Sequence, residues 1–448
     1  MGAIYNDDDG ASGVSQRETL GQGGVAAGDE YSSLCAQVPE LRARYEAARK
    51  AGLSLDLTRG KPSPAQLALS EPLLSLPGAG HAVSKSGVDI RNYGGPDGLL
   101  EVREIFAEIF GIPVEQFLAL TNGSLRLMHD TLLFAYVFGV PGSPRPWGAE
   151  PAVRFICPVP GYDRHFGICE NLGVEMLPVD MLPGGPDIAR IRELVADPAV
   201  KGMWLVPTHS NPTGYTTTRE TAEALVSMET AAPDFRIFWD DAYGLHHLEA
   251  TGPAPLPILA MAEAAGNPDR PLFFTSTSKI TFAGSGVGFI GASPANLAWV
   301  RQHMGVQSIS PDKTNHLRHA LFLQSPAGVA TQMAKHREIL APKFAAVQRI
   351  LTGRLGAWPQ LASWTDPTGG YFVSLNVLPG TAARVVELAA AAGVALTPAG
   401  ATYPYGVDPS DSNIRLAPSM PPLFEVEAAM EVVADCVLLA AAEKVCLQ

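Results

Sequence analysis

The spacing of apolar positions changes along the chain, and each change predicts a different kind of structure. Residues 1–30 are rich in Gly, Asp, Ser and Ala without an apolar period, which predicts a mobile N-terminal tail outside the fold. From Tyr31 to Ala51, Leu34, Val38, Leu41 and Tyr45 recur at helical intervals, and the following Leu57-Thr-Arg-Gly-Lys-Pro62 reads as an extended connector. Between about residues 89 and 310, short apolar runs alternate with amphipathic segments, the pattern of a parallel sheet with crossover helices. The predicted strands are Val153–Cys157, Val174–Val179, Met203–Val206, Arg236–Trp239, Leu272–Phe274 and Gly288–Gly291. Helices are predicted over Leu99–Phe110, Leu125–Phe138, Arg164–Leu172 and Arg219–Ala231. A helical region from about Pro311 to Leu355 then gives way to two strands, Tyr371–Asn376 and Ile414–Leu416, with helices near Ala382–Ala392 and Phe424–Lys444. This last part reads as a smaller α+β domain. There is no internal repeat.

Composition narrows the function. The 448 residues are 46% hydrophobic and 17% charged, which rules out disorder throughout and allows a sizeable core. With 32 Lys and Arg against 45 Asp and Glu, the net charge of −13 repels a polyphosphate backbone, so no nucleic acid partner is expected. No apolar stretch reaches the roughly 18 residues that cross a bilayer, and Met1 to Asp9 lack the features of a signal peptide. A cytoplasmic protein without a membrane partner is expected. Cys35, Cys157, Cys169, Cys436 and Cys446 form a scattered, odd set without CxxC, which reads as reduced thiols rather than disulfides or zinc ligands. Ten histidines include no HExxH, and the neighbours His246 and His247 point apart, so no metal is expected.

In sheets of this kind ligands bind beyond the carboxyl ends of the strands, and four polar clusters fall there. Asn211-Pro-Thr-Gly214 comes five residues after a strand and, taken alone, is a turn. Trp239-Asp-Asp-Ala-Tyr243 alone would be acidic loop surface, and Ser276-Thr-Ser-Lys279 alone would be a solvated lysine. Thr121-Asn-Gly-Ser124 precedes a helix, where N–H groups and a hydroxyl hold a phosphate or simply cap the helix.

Their order changes the reading. A phosphate-type turn, Pro-Gly-Tyr, Asn-Pro-Thr-Gly, Asp-x-Ala-Tyr and Ser-x-Ser-Lys, each after its own strand, resembles the fold type I pyridoxal-phosphate enzymes of the aspartate aminotransferase superfamily. Leu57-Thr-Arg-Gly-Lys-Pro-Ser63, Arg91-Asn-Tyr-Gly-Gly95, Pro158-Val-Pro-Gly-Tyr-Asp163 and Ser278-Lys-Ile-Thr-Phe-Ala-Gly284 are similar to the subgroup Ic aspartate aminotransferases. The resemblance implies an α/β fold: a large domain (81–325) with a mostly parallel seven-stranded sheet between helices, and a small α+β domain (326–448) joined by an N-terminal segment (31–80). It also implies pyridoxal 5'-phosphate, amino and 2-oxo acid substrates, and a homodimer. Lys279 would form the Schiff base and shuttle the proton. Asp240, rather than Asp241, would pair with the pyridine nitrogen. Asn211 and Tyr243 would bond the phenolic oxygen, and Tyr162 would stack on the ring. Gly123, Ser124, Leu125 and Ser276 would hold the phosphate, with Tyr93 reaching it from the other subunit. The family's arginine eight residues after the lysine is Val287 here, leaving Ser285 and backbone amides as expected substitutes. Arg415 would grip the substrate α-carboxylate, and Gly60 would let the backbone approach it.

For the distal carboxylate the expected cation is Arg145, stiffened by Pro144 and Pro146, ahead of Arg59, Lys61, Arg126 and Arg318. The expected reaction is amino transfer between aspartate or glutamate and 2-oxoglutarate or oxaloacetate. Kynurenine, alanine or 2-aminoadipate as substrate, β-elimination on the same scaffold, and a MocR-like sensor module are the alternatives. The sensor would need a DNA-binding head, and only about 30 residues precede the first helix.

Overall fold

The computed structural model describes residues 31–446, so the expected tail lies outside the described residues. Helix α1 (Ser32–Lys50) buries Leu34, Leu41 and Tyr45 at the predicted spacing. A two-residue strand, β1 (Leu55–Asp56), the short α2 (Pro64–Ala68) and α3 (Leu100–Phe110) follow. Strands and helices then alternate: β2 (Phe117–Ala119), α4 (Ser124–Phe138), β3 (Arg154–Val159), α5 (Asp163–Leu172), β4 (Glu175–Leu182), β5 (Gly185–Pro186), α6 (Ile188–Leu194), β6 (Val200–Leu205), α7 (Arg219–Ser227), β7 (Arg236–Asp240), α8 (Ile258–Ala264), β8 (Pro271–Ser276) and β9 (Gly288–Gly291).

These strands form one sheet in the order β2-β9-β8-β7-β6-β3-β4-β5. Strands β8, β7, β6, β3 and β4 pair in parallel, while β9 runs antiparallel between β8 and β2. Every residue of β6, β7 and β8 is buried, as befits strands covered by helices on both faces. Seven strands make the expected mostly parallel sheet, and the two-residue β5 adds an eighth at the edge. Neither β5 nor the three-residue β2 is long enough to print a periodic signal.

After β9 come α9 (Pro294–Gln307), α10 (Lys313–Leu323) and α11 (Pro326–Leu355). The single helical region expected over 311–355 is broken because Gln324 adopts a positive φ of 64° and Ser325 starts a new helix, accepting from the Gly328 N–H. The remaining elements are β10 (Ala362–Trp364), β11 (Val373–Val377), α12 (Ala382–Ala391), β12 (Val394–Ala395), β13 (Asn413–Leu416) and α13 (Leu423–Cys446). Strands β10, β11 and β13 form an antiparallel sheet, and β12 pairs in parallel with β1. The N-terminal segment thus shares a core with the C-terminal part: Leu34, Leu41 and Leu57 pack with Val385, Leu416 and Val433. Helix α11 serves two cores, placing Val329 and Met333 under the main sheet and Phe344 to Leu355 in the second core, with Pro342 between them.

The cysteine expectation is corrected. Cys35 of α1 and Cys446 of α13 form a disulfide across a sequence separation of 411. Two terminal helices brought together by packing leave no spacing signature, so the absence of a CxxC motif carried no information about this pair. Cys157, Cys169 and Cys436 are free and buried. Among the described residues no helix is long and apolar enough to cross a membrane, and no group of three or more His, Cys, Asp and Glu could hold a metal ion.

Candidate active site

Strands β2, β3, β6, β7 and β8 end on the same edge of the sheet, and the residues just past them line one cavity of about 360 Å³. Gly123, Ser124 and Leu125 come from the β2–α4 turn, Tyr162 from the end of β3, and Asn211 from the loop after β6. Asp240 ends β7 and Tyr243 follows it, and Ser276 ends β8 and Lys279 follows it. Clusters more than 150 residues apart in sequence meet because each sits at the end of its own strand. The Lys279 Nζ stands 4.8 Å from the centre of the Tyr243 ring. Burial lowers its pKa, with the Asp240 charge opposing, which favours the neutral, nucleophilic amine.

The two adjacent acids are sorted by the alternation of the strand. Asp240 faces the cavity, with Oδ2 3.1 Å from His165 Nε2 and Oδ1 buried without a partner among the described residues. A buried carboxylate oxygen left open towards a cavity fits a protonated ring nitrogen. His165 is itself fixed by stacking on Trp204, ring centres 4.5 Å apart and planes at 11°. Asp241 is buried outside the cavity lining. Burial, opposed by hydrogen bonding from Thr208, pushes its carboxyl up to about 7.

The phosphate side is built on the first turn of α4. Gly123 precedes it in extended backbone and no side chain caps the helix, so its first N–H groups are left for an anion. The close approach of Gly288 makes this turn compact: a Cβ there would lie 2.7 Å from the Gly123 carbonyl carbon. Ser276 Oγ lies 3.1 Å from Ser278 Oγ, which also lines the cavity. Val287 is buried in the main core, and Ser285 is not part of the lining, whereas Arg126 is. Uncapped amides, paired hydroxyls, an open carboxylate oxygen and a buried amine are the donor set a pyridoxal phosphate requires.

Arg415, on β13 of the small sheet, is not part of this lining but stands beside it, in contact with the lining residue Asn211. Its Nη1 bonds Asp163 Oδ1 at 2.9 Å and Asn211 Oδ1 at 3.5 Å, and Nη2 is 3.4 Å from Thr397 Oγ1. Buried Nε has no partner among the described residues. Nε, with the second N–H of Nη2 beside it, is the part of the guanidinium that these contacts leave for a carboxylate. Phe372 lies under it at 5.1 Å, and a Cβ on Gly60 would come within 2.1 Å of that ring.

Several expected residues do not line the cavity of this chain: Gly60 and Arg415 stand beside it, and Tyr93 and Arg145 lie elsewhere. Tyr93 is 75% exposed and absent from the lining. Arg145 is a correction: it lies beyond the far end of α4, facing Glu150 at 3.6 Å with its side chain 56% exposed. A helix of 15 residues carries that loop roughly 22 Å from the turn where it starts. Of the other cations considered, Arg59 and Lys61 are exposed, and only Arg126 lines the cavity. Sequence reasoning missed His165, Asp163 and Ser278. A signal for His165 exists, because it falls three residues after Tyr162, on the same face at the start of α5.

Comparison with known proteins gives the family of the chain. The family model described as aspartate amino-transferase matches residues 29–448. An aspartate aminotransferase of Corynebacterium glutamicum is 51% identical over 404 residues, covering 90% of this chain and 93% of that protein. The crystal structure of an aspartate transaminase from that organism matches with a TM-score of 0.91 at 50% identity, over 92% of this chain and 97% of that one. The fold extends to an α-aminoadipate aminotransferase of Thermus thermophilus solved with N-(5'-phosphopyridoxyl)-L-leucine, at a TM-score of 0.71 and 19% identity over 93% and 100% of the two chains.

Proposed function

Because this chain belongs to the aspartate amino-transferase family and is an aminotransferase that uses pyridoxal phosphate, we propose that it moves amino groups between aspartate or glutamate and the matching 2-oxo acids. The cofactor supplies an aldehyde that takes up the amino group and a ring that accepts electrons released at Cα. Lys279 holds that group and carries the proton to and from Cα. The observation behind this role is a buried amine sharing one cavity with the unpaired Asp240 Oδ1. Asp240 keeps the ring nitrogen protonated, with His165 fixing the carboxylate. Asn211 and Tyr243 bond the phenolic oxygen, and Tyr162 covers the ring face. The amides of Gly123 to Leu125 and the Ser276 hydroxyl hold the phosphate, with Arg126 supplying the cation that Val287 cannot.

Arg415 takes the α-carboxylate on its open edge, and Gly60 leaves room beside Phe372. The aspartate preference is supported by the 51% identity to the Corynebacterium enzyme, against 25% to a 2-aminoadipate transaminase of Thermus thermophilus. We read 81–325 as the cofactor-binding unit and 31–80 with 326–448 as the smaller one, in keeping with the separate cores. A homodimer is supported by the exposure of Tyr93 (75%), Val306 (88%) and Ile309 (65%). Lys313 holds the Tyr93 loop through the Asn92 and Gly94 carbonyls.

Mixing the cofactor-loaded protein with aspartate, glutamate, alanine, kynurenine and 2-aminoadipate, and following the cofactor's absorbance from its aldehyde to its amine form, tests the substrate class. Aspartate and glutamate should react most efficiently. A faster reaction with a neutral or aromatic donor would overturn the reading.

A further inference from the structure

Behind Lys279 runs a chain of buried hydrogen bonds that the roles above leave unused. It starts at α2, where Ser63 Oγ accepts from the Gln66 N–H at 3.3 Å and the Ser63 N–H donates to Gln66 Oε1 at 3.0 Å. With its oxygen committed to that N–H, the Gln66 amide offers only its NH₂ to the other side. Nε2 lies 3.0 Å from His336 Nδ1 and 2.9 Å from the Tyr371 hydroxyl. His336 therefore accepts at Nδ1 and carries its proton on Nε2, which lies 2.9 Å from the Ile280 carbonyl oxygen. Burial lowers the His336 pKa, so the ring is neutral, as this arrangement requires. Tyr371, accepting from Gln66, keeps its proton for the Lys279 carbonyl at 3.5 Å.

These two carbonyls need such partners. The N–H groups of Ile280 and Thr281 turn back onto the Thr277 carbonyl, and the chain leaves β8 in a tight turn. Gln332 Nε2 reaches the Ile280 carbonyl at 3.3 Å, and His246 Nε2 reaches the Lys279 carbonyl at 3.2 Å. Gln66, His336 and Tyr371 are fully buried, so reversing any one bond leaves a polar group unpaired. The next residue along, Phe372, lies between Gly60 and Arg415. One dipeptide thus touches both the backbone of the lysine and the seat of the carboxylate.

We propose that Gln66, acting through His336 and Tyr371, is a positioning residue that sets the backbone of Lys279 and couples it to the N-terminal segment carrying Gly60. The proposal rests on the reading of Lys279 as the residue that holds the cofactor. Gln66→Glu keeps the shape of the side chain and removes its donors, so the His336 proton is drawn to Nδ1 and the Ile280 carbonyl loses the shorter of its two side-chain partners, keeping Gln332. In the cofactor-loaded variant, kcat should fall about tenfold while the aspartate KM changes less than about threefold, the size expected for one buried hydrogen bond felt at the reacting lysine. Histidine-ring ¹⁵N NMR should show the His336 proton on Nε2 in the parent and on Nδ1 in the variant. Amide exchange over residues 277–284 should quicken, and the pH titration of the lysine-bound cofactor's absorbance should shift. His336→Gln, which retains a donor, should keep more activity than His336→Leu. A parent protein with the proton on His336 Nδ1, or a Gln66→Glu variant with unchanged kcat and unchanged exchange, would overturn the proposal. Lys279→Ala examines the underlying reading separately: if that variant keeps the lysine-bound absorbance, the reading fails whatever Gln66 does.

Discussion

The site has two walls, one lining the cavity and one standing beside it at Asn211, and they are built differently. The first is the edge of the main sheet, where Ser124, Asn211, Asp240, Ser276 and Lys279 each stand at the end of a strand or a few residues past it, within one eight-stranded sheet. The second is assembled from Arg415 on β13, Phe372 just before its partner strand β11, and Gly60, which lies past the two-residue pairing of β1 with β12, so it draws on a three-stranded and a two-stranded sheet. Fixed dipoles belong where charge moves during a reaction, because they need no rearrangement at that moment. A wall that grips different acids tolerates a looser construction. The contrast predicts that variants of the first wall lower kcat, and variants of the second raise KM.

Lys279→Ala breaks the first wall outright. It should lower transamination by more than about 10⁴, the upper range for a lost proton-transfer group, and remove the lysine-bound absorbance. Asp240→Asn should leave cofactor bound and reduce kcat by about 100-fold or more, as for other buried charge-stabilising groups. Its neighbour sharpens the point. Asp241→Asn should leave kcat nearly unchanged and alter stability instead. With a folded value of about 7 against an unfolded value of about 3.9, the carboxyl of Asp241 holds its proton more tightly in the folded chain. Its contribution to stability is full below about pH 4 and is lost as the pH rises to about 7. Melting temperatures across that range should fall less steeply in the variant. If Asp241→Asn loses the rate and Asp240→Asn does not, the pairing of acids to walls is reversed.

On the second wall, Arg415→Lys replaces a two-toothed grip with a point charge. It should raise KM about 10- to 100-fold for every amino acid and 2-oxo acid, with a smaller change in kcat. A fall in kcat alone would make this wall part of the chemical step. The smallest effect belongs to Arg126→Ala. Its side chain is 64% exposed, and solvent screening leaves such a contact at most about 1 kcal/mol. Affinity for pyridoxal phosphate should weaken about fivefold, and affinity for pyridoxal, which lacks the phosphate, should not change.

How much could be read in advance follows the same division. The polar clusters of the first wall are local in sequence and sit beside apolar runs, so both the sheet and the cavity-lining residues were legible. The second wall was reached only through resemblance, since nothing near Gly60 announces Phe372 as its neighbour. Arg145 does not reach the cavity because stiff flanking prolines say nothing of where a loop lies, and the axis of α4 carries this one away from the turn where the helix starts. The Cys35–Cys446 pair and the Gln66–His336 contact are products of packing between distant segments. His165 and β2 are near the motifs but too brief to stand out.

Helix α11 links the two cores, and Pro342 sits where it passes from one to the other. Proline has no N–H to give, so the Glu338 carbonyl one turn earlier lacks its partner along the helix. The beam joining the two units is therefore softest at the seam. A swing of the smaller unit would pivot there, leaving Gln332 and His336 on the half anchored beneath the sheet.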